Sequence, residues 1–360
     1  MILLYTDSQI IDLEWLPLID FKQQTTICHN LEEYLNSICD IKIAFTSHQL
    51  ESQYDIDYKF NDKINYLSLA SQLVFTFDSE LHNFQWKIWD ECHHSNVYWL
   101  LPGMVNGRDD INDNIICWGD WFSTTARIYK NLPKKVKEIS PFDVKLKYFD
   151  ALLGSPKPHR DFIYNAITQR KLENKIIVTY GGDWLETEFY AKDYFLWEPD
   201  TIQLTNVIGT ADMVEYHGEL AHLSQIIPIA VMNETAYSII AETDHDNTLS
   251  FFTEKIAKPM ISRRLFIVFS GYNFLRNLRE LGFKTFDGII DESYDQIIND
   301  EVRYTKAFEQ VEYLCNQNQA DIYLQIKDIV EHNYNLLMTR NWTAQSAYQI
   351  EAVINSAHLT

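Results

Sequence analysis

Basic residues are in short supply: 30 Lys and Arg stand against 51 Asp and Glu, for a formal net charge of −21. Gripping a nucleic-acid backbone or an anionic membrane needs clustered Lys and Arg. The balance therefore disfavours DNA as a partner, while leaving room for a local basic site. Cysteine is also scarce. The five thiols (Cys28, Cys39, Cys92, Cys117 and Cys315) are odd in number and form no C-x-x-C pair or spaced zinc set, so they read as ordinary thiols of a reducing compartment. Cys92-His93-His94 is ligand-like in type, but adjacent residues rarely converge on one metal without distant helpers, and no metal site is expected. No apolar run approaches the roughly 20 residues that span a bilayer. The start lacks a basic region and meets Asp7 early, so it predicts a first strand rather than a signal peptide, and a cytoplasmic protein. There is no G-x-G-x-x-G, P-loop, G-x-S-x-G or H-E-x-x-H pattern. Asp55-Ile56-Asp57 sits in a polar stretch without nucleotide-binding context, and Gly181-Gly182 has no glycine-rich companions. Asp244-His245-Asp246 reads as a loop tip rather than a cation site.

What is present is a large apolar content, 46% of 360 residues, enough for two domains. Short apolar runs alternate with longer helix-compatible segments, which predicts α/β layering. Strands are expected at Ile2–Tyr5, Ile41–Phe45, Leu73–Phe77, Val97–Leu101 and Ile115–Trp118. Several run straight into polar residues: Thr6-Asp7, Thr46-Ser47, Asp78-Ser79 and Gly119-Asp120. If these strands are parallel, ligands collect at their carboxyl ends. Asp78, Glu80 and Asp120 are accordingly the candidate general bases, with loop-capping carboxylates as the plainer alternative. Pro133–Lys137 and Ser140-Pro141 predict a connection near residues 133–150. The expected domains are 1–140, 141–325, and a helical tail, 326–360, that returns to the first domain. In the second half, strands are expected at Lys175–Tyr180, Ser238–Ala241 and Leu265–Ser270. Helices are expected at Asp161–Thr168, Thr253–Arg263, Asn273–Leu281, Asp295–Cys315, Ile322–Leu337 and Thr343–Ala357.

The most informative stretch runs from Glu242-Thr243 to Phe252-Thr253-Glu254-Lys255 and Lys258-Pro259. A strand ends at Glu242, a polar loop follows, and Thr253 is a credible N-cap with Glu254 and Lys255 in the first turn. Free N–H groups and a partial positive charge at a helix start suit a diphosphate. Lys255 adds a full charge, Glu254 can accept from ribose hydroxyls, and Lys258 can share the face of Lys255. Taken alone, Thr-Glu-Lys more often means a helix-dipole carboxylate beside a solvated lysine. Arg160 lies in a turn-rich segment opening a helix, where a guanidinium can grip phosphate bidentately. A surface pairing with Asp161 or Glu173 is the competing reading. Arg263 and Arg264 read as helix C-terminal cations. Asp291–Asp295 reads as structural, capping the following helix, with Glu292 as a possible contact for a sugar hydroxyl.

Phe251–Lys255, a small-residue helix and the strand Leu265–Phe269 together resemble the donor-binding motif of α-1,3-fucosyltransferases. Glu242-Thr243 stands where that family has Glu-Asn, and Phe251 where it has Tyr. The chain also resembles a set of phage and bacterial glycosyltransferase-like proteins through His159-Arg160, Ala241–Thr243, Phe252–Pro259, Leu278–Phe286 and Asp291–Asp295. This resemblance covers about residues 145–310 and leaves the first 130 untouched. It implies a GT-B-like fold, two Rossmann-type domains facing each other across a cleft. Lys255 and Arg160 would contact the diphosphate, and Glu254 the ribose. The missing hydroxyl at Phe251 weighs against GDP-fucose as the donor.

The expectation is therefore a metal-independent glycosyltransferase. It would move a sugar from a UDP- or GDP-linked nucleotide sugar to a hydroxyl acceptor such as a glycan. Its donor site would comprise Arg160, Glu242, Thr253, Glu254, Lys255 and Lys258. One alternative has a hydroxymethylated DNA base as acceptor; another is a non-catalytic GT-B-like protein that binds a glycan or a partner.

Overall fold

The computed structural model describes residues 1–7, 11–12, 16–47, 60–77, 94–106, 114–118, 120–132, 139–180, 202–204, 213–216 and 218–357. The chain divides into two compact units. The first joins residues 1–120 to 341–360, and the second is 121–340. The division thus falls about a helix earlier than the proline-lysine segment at 133–137. Of the helical tail, only its last part belongs with the first unit. No helix among the described residues is long and apolar enough to cross a membrane.

In the first unit, strands β1 (Ile2–Thr6), β2 (Thr25–Cys28), β3 (Ile41–Ser47), β4 (Leu73–Phe77), β5 (Val97–Leu101) and β6 (Ile115–Cys117) form one sheet in the order β2-β1-β3-β4-β5-β6. Every pairing is parallel, and β1, β4 and β5 are buried on both faces and read as near-continuous apolar runs, while the edge strand β2 exposes Thr26 and Ile27. Helices α1 (Leu31–Asn36) and α2 (Phe60–Ala70) contact β1 and β4. The sheet's core cluster gathers Leu4, Phe45, Phe75 and Phe77 around Ala347, Ile350 and Ile354 of the last helix. Edge strand β2 escapes the sequence reading because Thr25-Thr26 dilute its apolar run.

The second unit opens with α3 (Asp120–Asn131) and builds a sheet from β7 (Lys147–Leu152), β8 (Ile176–Thr179), β12 (Thr235–Ala241) and β13 (Phe266–Phe269). A separate antiparallel sheet, β9 (Ile202–Leu204), β10 (Met213–Tyr216) and β11 (Glu219–His222), lies between them in sequence. The main sheet is ordered β8-β7-β12-β13, all parallel. Its helices are α4 (Pro158–Gln169), α5 (Ile229–Glu234), α6 (Glu254–Ile261), α7 (Phe274–Glu280), α8 (Asp300–Leu314) and α9 (Gln319–Thr339); α10 (Trp342–Ser356) returns to the first unit. Phe162 of α4, Phe269 of β13, and Tyr304 and Phe308 of α8 form one aromatic cluster. Both units are therefore α/β with parallel sheets of the Rossmann-like kind.

Each sheet has a point where strand order reverses, and in open parallel sheets ligands bind in the crevice there. In the first sheet it lies between β1 and β3. In the second, the chain leaves β7 through α4 toward β8 on one side, and leaves β12 through α6 toward β13 on the other. The carboxyl ends of β7 and β12 flank this second reversal.

Three sequence expectations need correction. Lys147–Leu152 is no linker but a central strand, hidden by Asp150 in its middle. Arg264 is not an exposed helix-end cation; it is buried and donates to Asp150 Oδ2 at 2.6 Å. Arg263 instead reaches Glu331 at 3.1 Å and lies over the Tyr334 ring. Finally, the acidic stretch caps its neighbours but not α8: Asp291 caps the short turn Glu292–Gln296 that follows it, Asp295 caps the preceding helix by accepting from the N–H groups of Leu275 and Arg276, and Asn299 caps α8. Glu292 is held internally by Thr285, the Phe286 N–H and Arg279, not turned toward a ligand.

Candidate functional site

The second reversal point is bordered by two loops and two helix starts. After β7, the turn Gly154–Lys157 leads into α4, whose N-cap Lys157 makes no side-chain capping bond. After β12, Glu242–Asn247 leads on toward α6, which Thr253 caps through its hydroxyl, accepting from the Lys255 N–H at 3.2 Å. The capping pattern read from sequence is thus realised.

Direct bonds join the first turn of α4 to the end of β12. Lys157 Nζ donates to the Thr243 carbonyl at 2.6 Å. His159 Nε2 lies 2.8 Å from the Glu242 carbonyl, and Arg160 donates to the same oxygen at 3.5 Å. Arg160 also holds its own turn, donating to the carbonyl and hydroxyl of Ser155. Arg160 is buried rather than at the surface, and Asp161 accepts from the Tyr180 hydroxyl.

Lys255 comes in from α6, its ammonium 2.8 Å from Thr243 Oγ1 and 2.6 Å from Glu254 Oε1. Beneath it, Glu242 is fully buried. Its Oε2 accepts from the Thr253 hydroxyl at 2.5 Å and the Thr243 N–H at 3.2 Å, whereas Oε1 has no partner. Lys258, one turn on, is buried beside Glu254 and the side of Asp150.

The electrostatics follow from burial and crowding. Burial, then the charges of Arg160 and Lys255, push Lys157 down to about 8. Burial pushes Lys258 down to about 8 against the pull of Glu254 and Asp150. His159 is held well below its usual value, by burial first and then Arg160, so it is neutral. Because Nε2 faces a carbonyl it carries the proton, leaving buried Nδ1 a bare acceptor without a partner. Burial pushes Glu242 up to about 7, while Lys255 and the Thr253 hydroxyl pull the other way. For Glu254, burial also pushes up, but Lys255 and Lys258 outweigh it and keep the carboxyl below its usual range.

All six expected donor-site residues therefore fall within this one neighbourhood, with Lys258 set deepest. Sequence reasoning missed Lys157, His159 and Thr243 as members. Their partnership depends on β7 lying beside β12, a pairing across 86 residues in the case of Lys157 and Thr243. The turn Gly154–Lys157 running into Pro158-His159-Arg160, three basic side chains within four residues, was the available signal. Of the candidate bases, Asp78 and Glu80 lie outside the described residues, as do Asp55, Asp57, Gly181, Gly182, Cys92 and His93. Asp120 is the first residue of α3. At the reversal point of the first sheet, the buried carboxylate is Asp7, which accepts from Lys63 Nζ at 2.7 Å and from the Thr46 hydroxyl. Among the described residues no group of three His, Cys, Asp or Glu is gathered to hold a metal ion.

Comparison of the chain with protein-family models, curated proteins and solved structures gave no match.

Proposed function

We propose that the crevice between β7 and β12 binds the diphosphate of a nucleotide sugar, and that the chain is a glycosyltransferase acting on a hydroxyl acceptor such as a glycan. The observation that carries this reading is the crowding of Lys157, Arg160 and Lys255 at the carboxyl ends of two strands, where burial and then the charges of Arg160 and Lys255 depress Lys157. An anion placed among them relieves that repulsion. The start of α6 adds partial positive charge, and Glu254, kept ionised, is suited to accept from ribose hydroxyls. In transfer, charge builds on the departing diphosphate, and fixed cations stabilise it with no reorganisation. This chemistry needs no metal, and the reading takes the chain as GT-B-like with the acceptor side on the first unit.

The test is calorimetric titration with a panel of UDP-, GDP-, CMP- and dTDP-sugars. One or more should bind, and Lys255→Ala and Arg160→Ala should each weaken binding by about 10- to 100-fold, the cost of losing one charge-assisted hydrogen bond of about 1.5–3 kcal/mol. Transfer activity should survive a chelator. Unchanged affinity in both variants would remove the site assignment.

A further inference from the structure

We propose that Glu242 is a positioning residue that couples anion binding in the crevice to proton uptake: the anion and a proton on the Glu242 carboxyl favour each other, with Lys255 as the link. This rests on the diphosphate reading above.

The geometry is that of an acid built into the floor of a cationic site. Glu242 directly follows β12, is wholly shielded from solvent, and has one oxygen bonded by Thr253 and Thr243 while the other has no donor. A carboxylate left short of donors in a buried place is disfavoured against its neutral acid. Among the described residues, the attraction of the Lys255 ammonium is what opposes this most, and Lys255 is shared with Glu254. When Glu242 is neutral, Lys255 is balanced by one carboxylate and an incoming phosphate competes well for it. When Glu242 is ionised, two carboxylates hold Lys255 and repel the phosphate. By linkage, an anion that gains affinity from the proton must in turn raise the affinity for the proton.

The other charged groups around Glu242 either hold one charge or, like Lys157 and Lys258 at about 8, are present unchanged in Glu242→Gln, so that their proton uptake cancels in the comparison with that variant. From α6, Glu254 stays ionised because Lys255 and Lys258 outweigh its burial. From α4, His159 is kept neutral, Arg160 donates to the Glu242 carbonyl, and Lys157 donates to the Thr243 carbonyl. Behind β13, Ser270 donates to the Asp244 carbonyl and accepts from Arg303 of α8, whose Tyr304 lies against His159. On the loop itself, His245 lies beside the His159 ring, and Asp244 is a second carboxyl raised by burial. Asp244→Asn therefore serves as the control.

The experiment titrates the full-length protein with inorganic pyrophosphate between pH 6 and 8, in two buffers of different ionisation enthalpy. Wild type, Glu242→Gln and Asp244→Asn are compared at each pH, so that the titration of pyrophosphate itself cancels. With the carboxyl at about 7, wild type and Glu242→Gln should bind alike at pH 6, and the variant should bind about tenfold tighter at pH 8. Wild type and Asp244→Asn should take up protons on binding that Glu242→Gln does not. A ratio that stays flat with pH, or coupling that vanishes in Asp244→Asn instead, overturns the role of Glu242 and leaves the phosphate reading standing. Absence of pyrophosphate binding in every form removes the phosphate reading, and this role with it. Should Glu242→Gln fail to fold, Thr253→Val removes the hydroxyl bonded to Oε2; the midpoint of the pH profile must then move upward, and an unmoved midpoint overturns the proposal.

Discussion

Asp150 and Arg264 put a complete ion pair inside the second sheet. Burial raises the carboxyl and depresses the guanidinium, so each is disfavoured as an ion by its surroundings and retained by the other. The hydroxyls of Thr235 and Ser238 donate to the same Asp150 oxygen at 3.0 Å, and Arg264 also reaches the Met232 carbonyl at 2.9 Å. Removing one partner leaves a buried charge unmatched, at a cost of about 3–5 kcal/mol, whereas replacing both by apolar groups is often nearly neutral. Arg264→Leu should therefore lower the urea midpoint sharply, and Arg264→Leu with Asp150→Leu should recover much of the loss. Equal midpoints for wild type and Arg264→Leu would show that the pair carries no such weight. The pair also explains a gap in the sequence reading. An aspartate midway along Lys147–Leu152 argues for a loop until its partner, 114 residues away, is known.

At the level of elements, the loops bordering the crevice depend on one backbone approach. Gly271, following β13, packs so closely on the backbone of Asp246 and Asn247 that a Cβ would collide with the Asp246 carbonyl. Neighbouring bonds fix that approach: Ser270 Oγ to the Asp244 carbonyl at 3.0 Å, and the Tyr272 N–H to Asn247 Oδ1 at 2.8 Å. Gly271→Ala must push the 244–247 loop away, and overpacking of this kind costs about 1–3 kcal/mol. A lower melting temperature together with weaker pyrophosphate binding is expected. Unchanged values in both would show that the loop has slack. Much at this scale was legible beforehand. The apolar runs of β1, β3, β4, β5 and β13 announced themselves because strands of a covered parallel sheet need apolar side chains on both faces. Thr253, Glu254 and Lys255 were legible because capping is local, written within three residues. Which loop would face them was not, since strand order is a property of the sheet and leaves no mark in the neighbouring sequence.

For the molecule as a whole, the first unit is completed by the far end of the chain. Ala347, Ile350 and Ile354 of α10 share a core with Phe45, Phe75 and Phe77, and Glu351 accepts from the Asp20 N–H. Burying Ile350 and Ile354 is worth about 1.5–3 kcal/mol each, and a whole domain commonly has about 5–15 kcal/mol of stability. Deleting residues 341–360 should therefore strip hydrogen-exchange protection from β1, β3 and β4 while β7 and β12 keep theirs. Full protection of the first sheet in the shortened chain would contradict that account.

A ribosome meets this arrangement in an awkward order. Residues 1–120 emerge first, but the helix that seals their sheet is made only after residues 121–340, which at ordinary elongation rates means a wait of roughly 10–40 s. The unit carrying the cationic crevice can finish folding during that interval. The unit synthesised first is the last to close, and until then its apolar sheet face is open to chaperones.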